Sequence, residues 1–439
     1  MKRPNIIFIV ADDLGFADLG CYGGRDAAFG KVSPVLDQLA ANGLKFSDGY
    51  ANSPVCSPTR FGLMTARYQY RLRGAAEEPI NSKARASTTL GLPTTHPTLP
   101  SLLKEQGYRT ALIGKWHLGY PPAFGPLRSG YDEFFGPMAG GVDYFTHCAS
   151  TGAHDLWVGE EEQPHEGYLT DLISNKSVDF VKRMAQDTTQ PFFLSMHYTA
   201  PHWPWETRED HALAQTIKDN IFHLQGGNIH TYHRMIHHMD EGIGWVVNAL
   251  RETGQLDNTL IVFTSDNGGE RFSDNWPLVG GKMDLTEGGI RVPWIAHWPE
   301  GIAPNTTSAQ HCMTMDWSAT MVALGGGQAH ADYPFDGVSL LPLFQNPQAT
   351  FERPMFWRMN HREQRAVRLG DWKYLRVDGN DYLFNVVDDA RERANLGKHM
   401  PDKLQDLKTL WETWNASMPP IPADATISLG FSSKDMPQR

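Results

Sequence analysis

Apolar, β-branched runs stand at 6–11 and 259–264, and largely apolar runs that also read as strands at 108–113 and 191–198. Runs of this length with no polar alternation fit strands covered on both faces, as in a parallel sheet. Between them lie segments with helical periodicity and recognisable ends. Ser33-Pro34 opens a helix that runs through Leu39 and stops at Asn42-Gly43. Residues 99–107, 168–184 and 230–253 predict further helices, the last ending before Gly254. A later strand runs through Trp298. This alternation predicts an α/β fold, a large and mostly parallel sheet flanked by helices.

The pattern changes near 344–354. Beyond it come short strand-like runs at 355–359, 366–369, 372–376 and 382–385, then a helix over 403–414. They predict a small antiparallel sheet with one helix, dividing the chain into an α/β domain, 1–345, and a C-terminal α+β subdomain, 346–439. Residues 71–98 have no period and carry Arg71, Arg73, Lys83 and Arg85. A loop of this length lines an entrance or runs over the surface.

Composition narrows the partners. A net charge of −11 over 439 residues argues against nucleic acid. An anionic ligand stays open, because a pocket answers to its local charges and to any bound metal. Cys21, Cys56, Cys148 and Cys312 are far apart and form no C-x-x-C pair, so no disulfide framework is expected. The first apolar run is too short for a signal-peptide core and ends in carboxylates. No run approaches the ~20 residues of a membrane span. The chain therefore reads as soluble, membrane-free and cytoplasmic, or periplasmic or secreted if a leader precedes it.

Chemistry gathers at the strand ends. Asp12-Asp13, Lys115 with His117, His202, and Asp266-Asn267 each follow a separate apolar run. In an open parallel sheet, ligands bind beyond the carboxyl ends of the strands, so these residues can share one cleft. Asp12, Asp13, Asp266 and Asn267 offer oxygen ligands, which favour Ca²⁺, or Mg²⁺, over zinc. Lys115, Lys282 and Arg60 add positive charge, while His117 and His202 add titratable groups. Lys115 and His117 alternate, so in extended chain both point to one side. Such a cleft favours a compact oxyanion, sulfate or phosphate. Ser57-Pro58 reads as a helix start, which puts Cys56 just before the first turn, where free N–H groups favour an anion. Arg60 falls one turn later. Trp203 and Trp205 either stack on a substrate ring or pack a rigid loop. His233 and His237 stand at i, i+4, but no H-E-x-x-H motif accompanies them, and Met239 and Ile243 point to ordinary packing.

The run Cys56-Ser57-Pro58-Thr59-Arg60 resembles the signature of the type I sulfatases. Gly114-Lys115-Trp116-His117-Leu118-Gly119 resembles their second signature. The blocks 130–136, 265–269, 280–282 and 287–293 are similar to the same family, in the same order. One departure is Thr65-Ala66-Arg67, where the family usually has Thr-Gly-Arg. The middle section looks most like arylsulfatases and N-acetylhexosamine-sulfate sulfatases. The resemblance implies an alkaline-phosphatase-like fold and a hydrolase cleaving aryl or carbohydrate sulfate esters. It implies that a formylglycine-generating or equivalent maturation enzyme oxidises Cys56 to formylglycine, whose hydrate is the nucleophile. Asp12, Asp13, Asp266 and Asn267, with residue 56, would bind Ca²⁺. Arg60 would hold the hydrate, and Lys115 and Lys282 the sulfate oxygens. His202, with Lys282, would protonate the leaving alcohol, and His117 would then take the proton of the second hydroxyl as the sulfated hemiacetal collapses to aldehyde and sulfate. The alternative within the superfamily is a phosphodiesterase or phosphonate monoester hydrolase.

Overall fold

The computed structural model describes residues 3–24, 30–72, 80–217, 221–223 and 226–422. Four parallel strands form the centre of a ten-stranded sheet: β1 (Asn5–Ala11), β2 (Arg109–Gly114), β3 (Phe192–His197) and β4 (Thr259–Ser265), side by side in the order β4-β1-β3-β2. The runs form strands because both faces are covered: Ile6, Ile7, Phe8, Ile9 and Val10 are each at most 2% exposed. Burying each such side chain contributes ~1.5–3 kcal/mol. Register matters more than length here. Ala11 lies opposite Ser265, and Val10 and Gly114 both lie opposite His197. The four carboxyl ends are therefore nearly flush.

The expected large, mostly parallel sheet with flanking helices is what the chain forms, with antiparallel strands added toward its edges. Trp294–His297 runs antiparallel to β4 and to Leu44–Phe46, a direction that apolar runs cannot reveal. Glu133–Gly136 extends the far side parallel to β2. Helix α1 (Cys56–Thr65) carries a site residue, while α2 (Leu169–Met184) and α3 (Ile229–Glu252) pack on each other. Helices α2 and α3 approach closely at Gly242, where a Cβ would fall 2.0 Å from Ser174 Oγ. Asn228 caps α3 by accepting from the N–H groups of His230 and Thr231. Among the described residues, no helix is long and apolar enough to cross a membrane.

The C-terminal part is an antiparallel meander, β5 (Met355–Met359), β6 (Gln364–Leu369), β7 (Trp372–Val377) and β8 (Asn380–Asn385), covered by α4 (Pro401–Ala416). The Trp414 ring stacks on Phe356 at 4.8 Å. This layer shares a core with Tyr50, Tyr68, Tyr70, Leu285 and Ile290 of the larger part. Lys373 on β7, fully buried, reaches Glu287 at 2.9 Å. Both charges are out of water, so each depends on the other.

Candidate active site

Backbone bonds carry the sheet one residue past the strands. Asp266 N donates to Ala11 O at 3.1 Å, Asp12 N to Ala200 O at 3.0 Å, and Lys115 N to His197 O at 2.8 Å. Asp12, Lys115 and Asp266 are thus laid edge to edge. Asp13 turns away with a left-handed φ of 63°. Helix α1 supplies Cys56 from the opposite side. Contrary to the expected Ser57 cap, Cys56 is itself the first helical residue and Val55 precedes it as a cap without a side-chain bond. Ser57 Oγ instead accepts from Ile80 N at 3.0 Å. Pro58 is tolerated because first-turn N–H groups have no partner within the helix. At the other end Ala66 takes φ 54°, a left-handed conformation that glycine adopts more cheaply, which accounts physically for the family's usual Thr-Gly-Arg.

The predicted residues converge. One ligand atom each from Asp12, Asp13, Cys56 and Asp266 lies within 4.8 Å of all the others, and all four residues are buried. Cys56 Sγ is 3.5 Å from Asp12 Oδ1. Lys115 Nζ is paired with Asp12 Oδ2. Lys282 Nζ donates to Asp13 Oδ2 at 2.6 Å, and His202 Nε2 lies 3.6 Å from the same oxygen. Arg60 directs its guanidinium at Asp266 Oδ2, from Nε at 3.2 Å and Nη2 at 2.9 Å. Asn267 Nδ2 donates to Asp13 Oδ1 at 2.8 Å.

The centre fits a hard cation. Asn267 Oδ1 is buried with no hydrogen-bond partner among the described residues, although buried carbonyl oxygens ordinarily have one. It stands beside three buried carboxylates. Burial, then the Asp12 charge, push the Asp266 carboxyl up to about 6. Burial opposes ionisation of Asp13 too, but the Lys282 charge and its hydrogen bond hold it down at about 2. An oxygen-rich, crowded anionic centre of this kind is what a cation relieves.

A pocket of about 110 Å³ opens on this centre, lined by Cys56, Ile80, His117, His202, Trp203 and Lys282 among others. It is smaller than the ~300–1,000 Å³ that encloses a whole drug-sized ligand, so it admits one end of a substrate. Asn81, Ser82 and Ser150 add polar groups to its wall, so the 71–98 segment contributes to the entrance; Arg73 lies outside the described residues. Lys115 and His117 do not share an extended segment. His117 has φ 58°, which swings its ring toward the pocket while Lys115 stays on Asp12. His117 Nε2 bonds to Ile80 O at 2.5 Å, and Nδ1 has no partner among the described residues. Burial, then Lys115, push the His117 pKa well down. Burial likewise pushes the Cys56 thiol well up, so it stays protonated.

Other expectations separate here. Trp203 lines the pocket, but Trp205 is buried, with Phe272 at 4.9 Å and Arg271 over its ring at 4.6 Å. His233 and His237 join no metal-capable group among the described residues. Two buried neighbours were not foreseen. His197 ends β3 with Nδ1 3.3 Å from Arg60 Nη1, and Glu270 sits three residues past Asn267 with its carboxylate toward Trp203. The place of His197 at a strand end could have signalled it, while nothing local signals Glu270.

Behind His202 lies a pair of buried acids. Glu206 Oε2 accepts from Tyr144 N at 3.1 Å, and Tyr144 Oη donates to His202 O at 2.9 Å. Burial, then the adjacent Asp143 charge, push the Glu206 carboxyl up to about 9. A raised folded-state pKa means the folded protein holds this proton more tightly than the unfolded chain. Stability is then lost as pH climbs from the ordinary carboxyl range toward about 9. Glu206→Gln is expected to flatten that fall, read as melting temperature against pH for the two proteins. Parallel curves would show that no proton is held there.

A family model described as Sulfatase matches residues 4–327. The N-acetylgalactosamine-6-sulfatase of Sus scrofa is 34% identical over 394 residues, covering 85% of this chain and 71% of that protein. Arylsulfatase J of Mus musculus is 34% identical over 483 residues, covering 96% and 77%. Among solved structures, Ps i-CgsB in complex with k-i-k-neocarrahexaose is similar, with a TM-score of 0.85 at 33% identity over 96% of this chain and 94% of that one.

Proposed function

This chain belongs to the sulfatase family, and from that premise we propose that it removes sulfate from a carbohydrate sulfate ester with Ca²⁺ and with Cys56 matured to formylglycine. It is a sulfate ester hydrolase; the overall reaction adds water to R–O–SO₃⁻ and yields R–OH and hydrogen sulfate. The observation that carries the proposal is the clustering of Asp12, Asp13, Asp266 and Cys56 ligand atoms within 4.8 Å beside two lysines. The carbohydrate is supported by relatives named for N-acetylgalactosamine 6-sulfate or crystallised with neocarrahexaose. A pocket combining Trp203 and Phe222 with Asn81, Ser82 and Ser150 also suits a sugar ring.

Asp12, Asp13, Asp266 and Asn267, with residue 56, would hold the cation, which supplies positive charge opposite the sulfate oxygens. Formylglycine, as its hydrate, supplies an oxygen nucleophile where the buried thiol supplies a poor one. The remaining work falls to side chains. Arg60 orients Asp266 through two hydrogen bonds and keeps its charge compensated. Lys115 and Lys282, on Asp12 and Asp13, flank the place of the sulfate and stabilise charge as the ester bond breaks. His117 serves as base: with Nε2–H donating to Ile80 O, the lone pair remains on Nδ1. Burial, then Lys282, hold the His202 pKa down at about 3, so its ring is neutral at rest. An anionic ester brought against it favours the protonated form, which then donates from Nε2 to the leaving alcohol.

The test is sulfate release from defined sulfated sugars, with an aryl sulfate and a phosphate diester as comparisons. Turnover of at least one sugar sulfate above the aryl sulfate is expected. Turnover of the phosphate diester alone would overturn the proposal and leave the phosphodiesterase reading.

A further inference from the structure

We propose that Glu270 is a positioning residue for substrate selection: it fixes the indole of Trp203 as one wall of the pocket. Trp203 Nε1 donates to Glu270 Oε2 at 2.9 Å. The same carboxylate oxygen lies 3.9 Å from Lys282 Nζ, and the Lys282 ammonium stands 5.8 Å from the centre of the Trp203 ring. Glu270, Trp203 and Lys282 therefore form a closed triangle on the pocket side of the metal-capable centre. The Glu270 side chain is 6% exposed, so its charge depends on that lysine.

The triangle leaves Trp203 little freedom. Its ring packs against His202, 3.9 Å centre to centre, and Phe222, at 4.7 Å, both tilted to it. The bond from Nε1 fixes the ring's rotation against these two neighbours. Glu270 is itself anchored, because its carbonyl accepts from Ser273 N at 3.1 Å and from Ser273 Oγ at 2.6 Å. An aromatic wall in a fixed orientation lowers the ordering cost when a rigid ring docks on it. The gain appears in binding of the sugar, whereas a small aryl sulfate that reaches only the sulfate end gains little. Gln at 270 can still accept from the indole, but Ala cannot. The inference rests on the carbohydrate-sulfate reading above.

The experiment is steady-state kinetics of calcium-loaded, formylglycine-bearing enzyme on a sulfated oligosaccharide and on 4-nitrocatechol sulfate, for wild type, Glu270→Gln, Glu270→Ala, Trp203→Phe and the Glu270→Ala/Trp203→Phe double variant. Glu270→Ala is expected to raise KM for the oligosaccharide about tenfold, as for loss of one orienting hydrogen bond. Its KM for the aryl sulfate should move less than about threefold on the same grounds. Glu270→Gln should restore most of the loss, and the two single effects should not add in the double variant. A purely structural role would move both substrates together, and such parallel losses, or a wild-type KM in Glu270→Ala, would overturn the inference. If Glu270→Ala does not fold, Glu270→Gln and Trp203→Phe decide: a tenfold loss in Gln with none in Phe contradicts it. Failure of the wild type on every sugar sulfate would instead sink the substrate reading, and this inference with it.

Discussion

A Cys56→Ala protein should fold normally and lose turnover by about 10⁴-fold or more, as expected when the nucleophile is removed. Cys56 is 3% exposed and begins α1, where its side chain makes one hydrogen bond, to Asp12. Exchanging the CH₂SH side chain for a methyl group costs about 1 kcal/mol in a helix that the surrounding core already holds. The loss therefore falls on chemistry. Thermal melting and sulfate release together check it: an unchanged melt with no release is expected. A variant that retains activity would remove residue 56 from the mechanism and leave the Lys115, Lys282 and histidine geometry without an object.

Calcium removal should have the second-largest effect. Chelation is expected to abolish turnover and lower the melting temperature, with both restored by added Ca²⁺ and less well by Mg²⁺, whose stricter octahedral geometry suits a crowded carboxylate cluster poorly. At free Ca²⁺ one thousand times its Kd, binding stabilises the fold by about 4 kcal/mol. For a chain of 439 residues that corresponds to a shift of roughly 4–5 °C. The buried Asp12, Asp13 and Asp266 carboxylates explain the direction, since without the ion their mutual repulsion is met by Lys115, Lys282 and Arg60 and a hydrogen bond from Asn267. A melting temperature indifferent to both chelator and Ca²⁺ would contradict the metal assignment.

Much of this centre was legible before any coordinates. Apolar runs that end abruptly in Asp12-Asp13 or Asp266-Asn267 announce both the strand and its functional end, because carboxylates are unfavourable in such places without a partner. The family motif around Cys56 added the proposed nucleophile. Direction and three-dimensional neighbours were beyond reach. Trp294–His297 is as apolar as its parallel neighbours yet runs the other way. The left-handed turn at His117 cannot be read from a strand-end lysine and histidine two positions apart. Trp203 and Trp205 look alike in sequence, and only packing tells the pocket wall from the core. Helix Thr314–Leu324, buried over most of its surface, has no polar face to give it a period and went unread. Glu270 and the Asp143–Glu206 pair depend on contacts over 60 or more positions, which no local pattern records.

The most direct test of the central claim is a crystal structure of the active, calcium-loaded protein with sulfate bound. Density for one cation among Asp12, Asp13, Asp266, Asn267 and residue 56, with the sulfate between Lys115 and Lys282, is the expected result. A cation bound elsewhere, or a sulfate remote from residue 56, would contradict it.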